Sequence, residues 1–324
     1  MTESSPPLVS VIIPCYNQAN YLPEAVNSVV GQTHQPIEIV VIDDGSPDNV
    51  FEIVASYPEV YCVRQQNRGR SHARNAGFRA SRGEYVVFLD ADDRLSPNAI
   101  EAHLRCFSTH PQAGFVVGDI DQIASDGSYI YSPRWPVLEA NFYEELLKVN
   151  HVANTIAVMF RRSLFDALGG FAEHLHAAED YELLLRAARV AASAHHSTVV
   201  AQYRRHLEST SRKGALMLRA TEHVMMLQLP LLNGDRRLMT AWREGRRYWR
   251  EHFGIATVKQ VYAHVMHGEL WRAAKAFVAL LWYVRGQVFV IPWKRRRWIL
   301  QAIRHRLGFS QKSIDQHPSS IVGS

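Results

Sequence analysis

The chain has 324 residues, 47% of them hydrophobic, with 36 basic and 31 acidic side chains and a formal charge of +5. That apolar fraction supports a substantial core in one large domain or two and excludes intrinsic disorder as the class. Cys15, Cys62 and Cys106 are an odd set without the paired spacing of a zinc site or a disulfide framework, which fits a reducing cytosol. The leading Met1-Thr-Glu-Ser-Ser-Pro-Pro7 lacks the charged and apolar regions of a signal peptide, so the expectation is that the chain stays where it is made.

In chain order, Val9–Pro14 reads as a strand, Tyr21–Val30 as a helix, and Ile37–Ile42 as a second buried strand running into Asp43-Asp44-Gly45-Ser46. Asn49–Ser56 suits a helix, Val60–Arg64 a strand and Ser71–Ala80 a helix, and Tyr85–Leu89 is a strand that ends at Asp90-Ala91-Asp92-Asp93. This alternation predicts parallel crossover units in an α/β sheet with helices on both faces and ligands beyond the carboxyl ends of the strands. After a helix over Asn98–His110 the pattern becomes irregular. Phe115–Asp119 is strand-like, Asp126-Gly127 marks a hairpin turn, Ile156–Arg161 reads as a strand, Ala178–Ala192 as a helix and Ser197–Tyr203 as a strand. From Lys213 onward helical periodicity dominates, which places a boundary within residues 210–235.

The acids after Tyr85–Leu89 put concentrated negative charge where a buried strand reaches the surface. Side chains alternate along an extended strand, so Asp90 and Asp92 face one side and can share a hard divalent cation, while Asp93 points elsewhere. Mg²⁺ or Mn²⁺ suits all-oxygen ligands and would in turn grip a substrate's phosphates. The same run also suits a solvated turn capping the helix that follows Ser96-Pro97.

Further motifs recur in register: Val11-Ile-Ile-Pro14-Cys15-Tyr16-Asn17, Gln32-Thr33, Asp43-Asp44-Gly45-Ser46, Asn67-Arg-Gly69, Ala73-Arg74-Asn75-Ala-Gly77, Gly83-Glu-Tyr85, the acids at 90–93 and Glu179-Asp180-Tyr-Glu-Leu183. In this order the chain resembles family 2 glycosyltransferases over roughly residues 8–212. The resemblance implies a GT-A fold, a Rossmann-like mixed sheet flanked by helices, here with a helical C-terminal extension. It implies transfer of a sugar from a nucleotide diphosphate donor, UDP-linked or another NDP-sugar, to an acceptor hydroxyl with inversion. The product would belong to cell-surface polysaccharide or glycolipid synthesis, with a glycan or lipid-linked acceptor.

On that resemblance Pro14, Tyr16 and Asn17 line the nucleotide site, with Tyr16 either stacking on the base or packing in the core. Asp44 aligns with the residue that accepts a hydrogen bond from the base, while Asp43 either shares that role or holds the turn. Arg70, Arg74 and Asn75 open a helix where positive charge and free N–H groups favour phosphate; Arg74 could equally brace the acids. Asp90, Ala91 and Asp92 form the DXD motif, with Asp92 the preferred metal ligand, Asp90 its partner and His206 a further candidate. Asp180 is the candidate base and Glu179 its orienter, although acids in a first helical turn also simply complement the dipole. Nothing beside Cys15 suggests a catalytic thiolate. Rival readings are a nucleotidyltransferase, whose usual glycine-rich N-terminal loop is replaced here by Pro14-Cys-Tyr16-Asn17, and a catalytically silent sugar-nucleotide binder or assembly scaffold.

The chain divides by this reading into a flexible N-terminus (1–7), a catalytic domain (8–212), a helical extension (213–310) and a flexible tail (311–324). No acid lies between Glu269 and Asp315, whereas Arg272, Lys275, Arg285, the run Lys294–Arg297, Arg304, Arg306 and Lys312 do. Together with Trp271, Trp282, Trp293 and Trp298 this describes helices that lie on an anionic membrane surface, at the inner face of the plasma membrane, or pack as a hairpin on the catalytic domain. Ala276–Pro292, interrupted by Arg285 and Gln287, is short for a membrane span of about 20 residues. No nucleic-acid partner is expected, since no such module accompanies the charge.

Overall fold

The computed structural model describes residues 5–134, 141–152, 154–206 and 213–284. Among them, nine strands form one mixed sheet. Its parallel half runs β3 (Val60–Arg64), β2 (Ile37–Asp43), β1 (Val9–Cys15), β4 (Tyr85–Phe88). Strands β1 and β4 are buried along their whole length, which is why they read as near-continuous apolar runs and not as alternating ones. Beyond β4 the sheet turns mixed: β8 (Val158–Arg161) is antiparallel to β4 and to β6 (Ala113–Ile123), and β6 is parallel to β9 (Ala192–Arg204). The two-residue β5 (Arg94–Leu95) pairs with β9, and β7 (Tyr129–Tyr131) closes a hairpin with β6 around Gly127.

The expected helices over the first half are present as α1 (Leu22–Val30), α2 (Val50–Val54), α3 (Arg70–Ala80) and α4 (Ala99–Thr109), with α2 shorter than its sequence signal. The Gln32 side chain ties α1 to α4, donating to Ser28 O and Ser96 O and accepting from Ile100 N. Helix α3 lies close on the sheet because Gly77 has no side chain. A Cβ there would meet Ile12 Cγ2 at 2.3 Å and Ile42 Cγ1 at 3.2 Å. That approach carries Arg74, one turn earlier, to the carboxyl edge of β4.

The irregular middle resolves into short pieces. Helices α5 (Phe142–Lys148) and α6 (Arg162–Leu168) are seven residues each, too few for a 3.6-residue period to register in sequence. The strand expected at Ile156–Arg161 begins with a 3₁₀ turn, Thr155–Ala157, and only Val158–Arg161 joins the sheet. Strands β6 and β9 are longer than expected; their register shifts around Val117, Asp119 and Ile120 break the simple alternation that would reveal their full length. Helix α7 (Glu179–Val190) follows as expected.

The C-terminal helices are α8 (Gly214–Gln228), α9 (Arg236–Met266) and α10 (Leu270–Val284). Asp235 caps α9 by accepting from Arg237 N and Leu238 N. Val224, Met225, Leu232, Ala241 and Trp242 share the sheet's core, while Leu218, Phe253, Leu280 and Val284 form a second small cluster. The Trp242 indole donates to Met225 O at 2.6 Å, and Trp249 donates to the Tyr181 hydroxyl at 3.3 Å. Among the described residues, no helix is long and apolar enough to cross a membrane. The basic cluster Lys294–Arg297 and the tail 311–324 lie outside the described residues.

Behind the sheet, His103 of α4 and His196 of β9 are 3.0 Å apart, one imidazole donating to the other. Burial, with His196 adjacent, holds His103 well below the usual imidazole range; burial and then His195 bring His196 from 6.5 down to about 4. In the unfolded chain both take up a proton near the ordinary value, so stability is present above it and is lost as pH falls from 6.5 towards 4. Replacing both histidines (His103→Leu with His196→Leu) is therefore expected to flatten the fall of Tm across that interval. An unchanged Tm against pH slope would show that the pair is not a source of the acid lability.

Candidate active site

Loops after β1, β2 and β4 converge with the N-terminus of α7 at one edge of the sheet. At the end of β1, Tyr16 is 50% exposed and not part of the core. Asn17, at φ 53°, turns the chain and donates its N–H to Ser46 Oγ at 3.2 Å. Cys15 is buried, and burial followed by the charge of Asp48 pushes its thiol up to about 12, which leaves it inert as a nucleophile.

The paired aspartates after β2 have separate surroundings. Asp43 Oδ1 accepts from Ser46 N at 2.8 Å, and Oδ2 lies 3.3 Å from Arg64 Nε, so this carboxylate holds the turn. Asp44 accepts from Gln65 Nε2 (2.7 Å), Arg68 N (3.0 Å) and Gly69 N (2.9 Å). It thereby fixes the Asn67-Arg68-Gly69 loop that launches α3.

Arg74 is the centre of the cluster. Only 1% exposed, it places Nη2 at 2.6 Å from Asp90 Oδ1 and Nη1 at 3.3 Å from Glu179 Oε1, with its guanidinium 5.0 Å from the Phe171 ring centroid. Arg70 also reaches Glu179, at 3.5 Å. Although desolvation opposes it, the charges of Asp90, Glu179, Asp180 and Asp92 hold Arg70 more firmly protonated. Its side chain is nonetheless 48% exposed, a cation presented to the cleft.

The three acids after β4 differ in charge state. Burial would raise the Asp90 carboxyl, but Arg74 and Arg70 outweigh it and hold the group below its ordinary value. Asp92 is raised by burial and by the charge of Asp90, and its Oδ2 is 2.9 Å from His206 Nε2. Asp93 points inward, 1% exposed, accepting from Arg204 N at 2.7 Å; burial and then the charges of Asp92 and Asp90 push it well above the carboxylate range. The strand alternation expected over these acids is not what separates them: β4 ends at Phe88, and the acids occupy a turn closed by Asp93 N donating to Asp90 O at 3.0 Å, which sends Asp93 inward.

Arg204 was given no role by the sequence. Its Nε donates to Asp92 O at 2.7 Å, Nη1 to Ser125 O at 3.0 Å and Nη2 to Glu24 Oε2 at 2.7 Å, and its guanidinium lies 4.9 Å from the Tyr21 ring centroid. The side chain is 1% exposed and grips the acidic loop by its backbone. The only sequence signal was its place beside the singled-out His206.

On the opposite side, Ala178 precedes α7 at φ 58°, a left-handed conformation costing a non-glycine residue on the order of 1 kcal/mol. The loop leading there is clamped by Asn75, which accepts from Phe171 N (2.8 Å) and donates to Phe171 O (3.0 Å) and Glu173 Oε1 (3.0 Å). Gly170, at φ 86°, permits this, since a Cβ would lie 2.5 Å from Asn75 Oδ1. Burial, and then the neighbouring Glu179 charge, push Asp180 up to about 6.

Among the described residues, no three His, Cys, Asp or Glu side chains form a group able to cage a metal. The donors that are present fit a cation completed by substrate oxygens: Asp92 beside His206, and Asp90 whose charge already opposes that of Asp92. Such a cation would relieve this repulsion.

The acids and arginines thus gather at the carboxyl edge of a Rossmann-like mixed sheet, where α/β folds bind their ligands. Residues 10–169 match Glycosyl transferase family 2. An uncharacterized glycosyltransferase of Rickettsia prowazekii is 30% identical over 239 residues, 72% of this chain and 75% of that protein. The chain belongs to glycosyl transferase family 2. An uncharacterized glycosyltransferase of Nostoc sp. is 36% identical over 49% of this chain and 52% of its own length. Chondroitin synthase of Pasteurella multocida is 32% identical over 64% of this chain, a match spanning 22% of that enzyme. The match thus spans about half or less of these last two relatives. In fold, the chain is similar to S. aureus TarS in complex with UDP-GlcNAc (TM-score 0.64, 20% identity, 87% of this chain and 83% of that one). It is also similar to the Pyrobaculum calidifontis mannosyltransferase PcManGT in complex with GDP-Man and Mn²⁺ (TM-score 0.54, 18% identity, 86% and 87%).

Removing Arg74 would leave Asp90 and Glu179 without their buried cation. Arg74→Ala is expected to destabilise the protein by about 3–5 kcal/mol, and Arg74→Lys, which keeps the charge but not the fork, by less. Urea unfolding of the three proteins measures this; equal stability of Arg74→Ala and wild type would show that the bridge is not structural.

Proposed function

We propose that this glycosyltransferase moves a sugar from a nucleoside diphosphate donor to an acceptor hydroxyl with inversion, using Asp180 as base. One observation carries the reading: Arg74 joins Asp90 on the donor side to Glu179 on the acceptor side, beside a carboxyl poised at about 6. A base of that pKa is mostly ionised at neutral pH yet still basic enough to accept a proton in the transition state.

In this reading the exposed Tyr16 face stacks on the donor base, and Asp44, whose Oδ2 accepts from Gly69 N and has a second lone pair, accepts from its edge. Pro14, Asn17 and Asp43 shape that pocket, and Arg70 with the Ala91 backbone faces the diphosphate. Asp92, Asp90 and His206 would hold Mg²⁺ or Mn²⁺, which supplies charge neutralisation for the departing diphosphate. Asp180 takes the acceptor hydroxyl proton as that oxygen bonds to the anomeric carbon from the face opposite the leaving group. The bond from the anomeric carbon to the phosphate oxygen breaks, and its electron pair leaves with the nucleoside diphosphate. Glu179, fixed by Arg74, orients the acceptor side.

The proteins with bound UDP-GlcNAc and with GDP-Man and Mn²⁺ support an NDP-sugar donor and a divalent cation, and the chondroitin synthase relative supports a glycan product. The acceptor is proposed to be a cell-surface glycan or lipid-linked glycan, made at the cytoplasmic face of the membrane. Exposed Trp271 and Trp282 on α10 support peripheral attachment there.

Asp180→Asn is expected to keep donor binding by calorimetry while lowering transfer about 10²–10⁴-fold. Wild-type kcat/KM should climb as pH rises through about 6 and level off above it, because Asp180 must be ionised to act. Transfer by Asp180→Asn at the wild-type rate would reject Asp180 as base. Asp92→Ala should abolish the Mn²⁺-dependent part of donor affinity, and Tyr16→Ala should weaken donor binding about 10-fold or more. Metal-independent donor binding in the wild type would remove the metal from the proposal.

A further inference from the structure

A second cleft lies away from the sheet edge, where α8, α9 and α10 meet. It encloses about 250 Å³ and is lined by Arg219, Glu222, Arg246, Arg250, Trp282 and Tyr283, among others. Glu222, 3% exposed, is engaged by both Arg246 and Arg250 at 2.7 Å. One carboxylate against three guanidinium groups leaves the cleft with a net charge of +2 from these residues. Arg219 makes one long contact, from Nη2 to Lys275 O at 3.4 Å, and is otherwise turned to solvent.

The rim is as distinctive as the floor. Helix α10 shows water an apolar face: Trp271 (72% exposed), Phe277, Val278, Leu281 and Trp282 (74% exposed). Trp282 belongs to both features, since it lines the cationic cleft and continues the apolar face. Lys275, over the Trp271 ring at 5.1 Å, adds a cation to the same helix. An arginine-lined cleft opening beside a tryptophan-bearing apolar face matches an amphiphile with a phosphate head and hydrocarbon chains.

We propose that this cleft binds the phosphate headgroup of an anionic membrane phospholipid, with its acyl chains along α10. Arg246 and Arg250 each turn their Nε and Nη2 onto Glu222, which fixes both guanidinium groups in place and leaves their Nη1 edges, with the exposed Arg219, for phosphate oxygens. The surrounding sequence, without an acid from Leu270 to Ile314, suits the same anionic surface. The inference rests on the membrane attachment proposed above for its physiological ligand, yet it concerns a defined cleft and not general charge attraction. It also places the ligand near the acceptor side. Arg246 and Arg250 flank Trp249, which donates to Tyr181, the residue after Asp180, and His223 on the cleft rim meets His174 of the loop before α7.

The test uses the full chain and dihexanoyl phosphatidic acid below its micellar concentration, so that vesicle adsorption by basic residues elsewhere does not contribute. Calorimetry should show saturable binding at one site, with dihexanoylglycerol, which lacks the phosphate, failing to bind. Arg219→Glu and, separately, Trp282→Ala should each weaken binding about 10-fold or more, while Arg79→Glu, a charge reversal on distant α3, should not. Both altered positions are exposed, so the variants should keep the wild-type Tm. Geranyl phosphate at equal concentration serves as the competing occupant. If it binds more than 10-fold tighter than the phosphatidic acid, the cleft belongs to a lipid-linked substrate and the phospholipid assignment falls. Equal affinity for dihexanoylglycerol, or wild-type binding by both variants, would also overturn it. None of these readings depends on sugar transfer, so failure here is distinct from failure of the catalytic assignment. Flotation of wild type with vesicles containing phosphatidic acid separately reports membrane attachment.

Discussion

The cluster depends on a single buried cation. Arg74 sits on a helix that can approach the sheet only because Gly77 lacks a side chain, and its two guanidinium edges hold Asp90 and Glu179. A buried arginine without partners would cost several kcal/mol, as would either carboxylate without the arginine. The three therefore stand or fall together, which welds the turn after β4 to the start of α7 although the acids are 89 residues apart in sequence. The same charge also sorts its neighbours. Asp90, against Arg74 and Arg70, is held ionised, while Asp180, more buried than compensated, titrates near neutrality. Both carboxylates are buried and both feel the two arginines, but Asp90 also takes a direct hydrogen bond from Arg74 whereas Asp180 sits beside the charge of Glu179, and this sends them in opposite directions.

Arg204 complements this arrangement from below. Arg74 binds side chains in the cluster, whereas Arg204 holds the acidic loop through the carbonyls of Asp92 and Ser125, anchors itself on the Glu24 carboxylate and fixes Asp93 with its own N–H. Asp93, its carboxyl pushed towards the neutral form, anchors the loop without adding a third full charge to it. The acidic turn is held by its main chain and its innermost acid, which leaves Asp92 and the adjacent His206 at the cleft. In the proposed mechanism this frees the side chains for a cation and the diphosphate while the loop itself stays rigid.

The sequence disclosed the parallel half of the sheet because its strands are short β-branched runs ending in polar residues, each followed by a clear helix. It disclosed less past Phe115, where the sheet turns mixed, β6 and β9 shift register against each other and two seven-residue helices carry no readable period. Motif matching brought Asp90, Asp92, Glu179 and Asp180 forward, and the fold brings all four into the field of Arg70. It did not distinguish residues that contact a cleft from those that build it. Asp43, Asn75 and Gln32 lie in motifs, yet their visible bonds hold a turn, a loop and a helix junction. Arg204 carried no local signal beyond its nearness to His206, since its value lies in reaching Glu24, Asp92 and Ser125 from a strand far along the chain.

The C-terminal helices bear on the same cluster. Tyr181, directly after Asp180, donates to Leu146 O and accepts from Trp249 of α9, whose ring stacks on Phe253 of the outer apolar cluster. Helix α7 is thus fixed at its N-terminus by two agents: Arg74 through Glu179, and the helical layer through Tyr181. Ala178, in a left-handed conformation that an alanine adopts at a cost, is retained between these two restraints. Strain of this kind persists only where the surroundings over-determine the backbone. The helical layer is consequently part of what sets the position of Asp180, acting through the packing of Tyr181 and without contributing a residue of its own to the charged cluster.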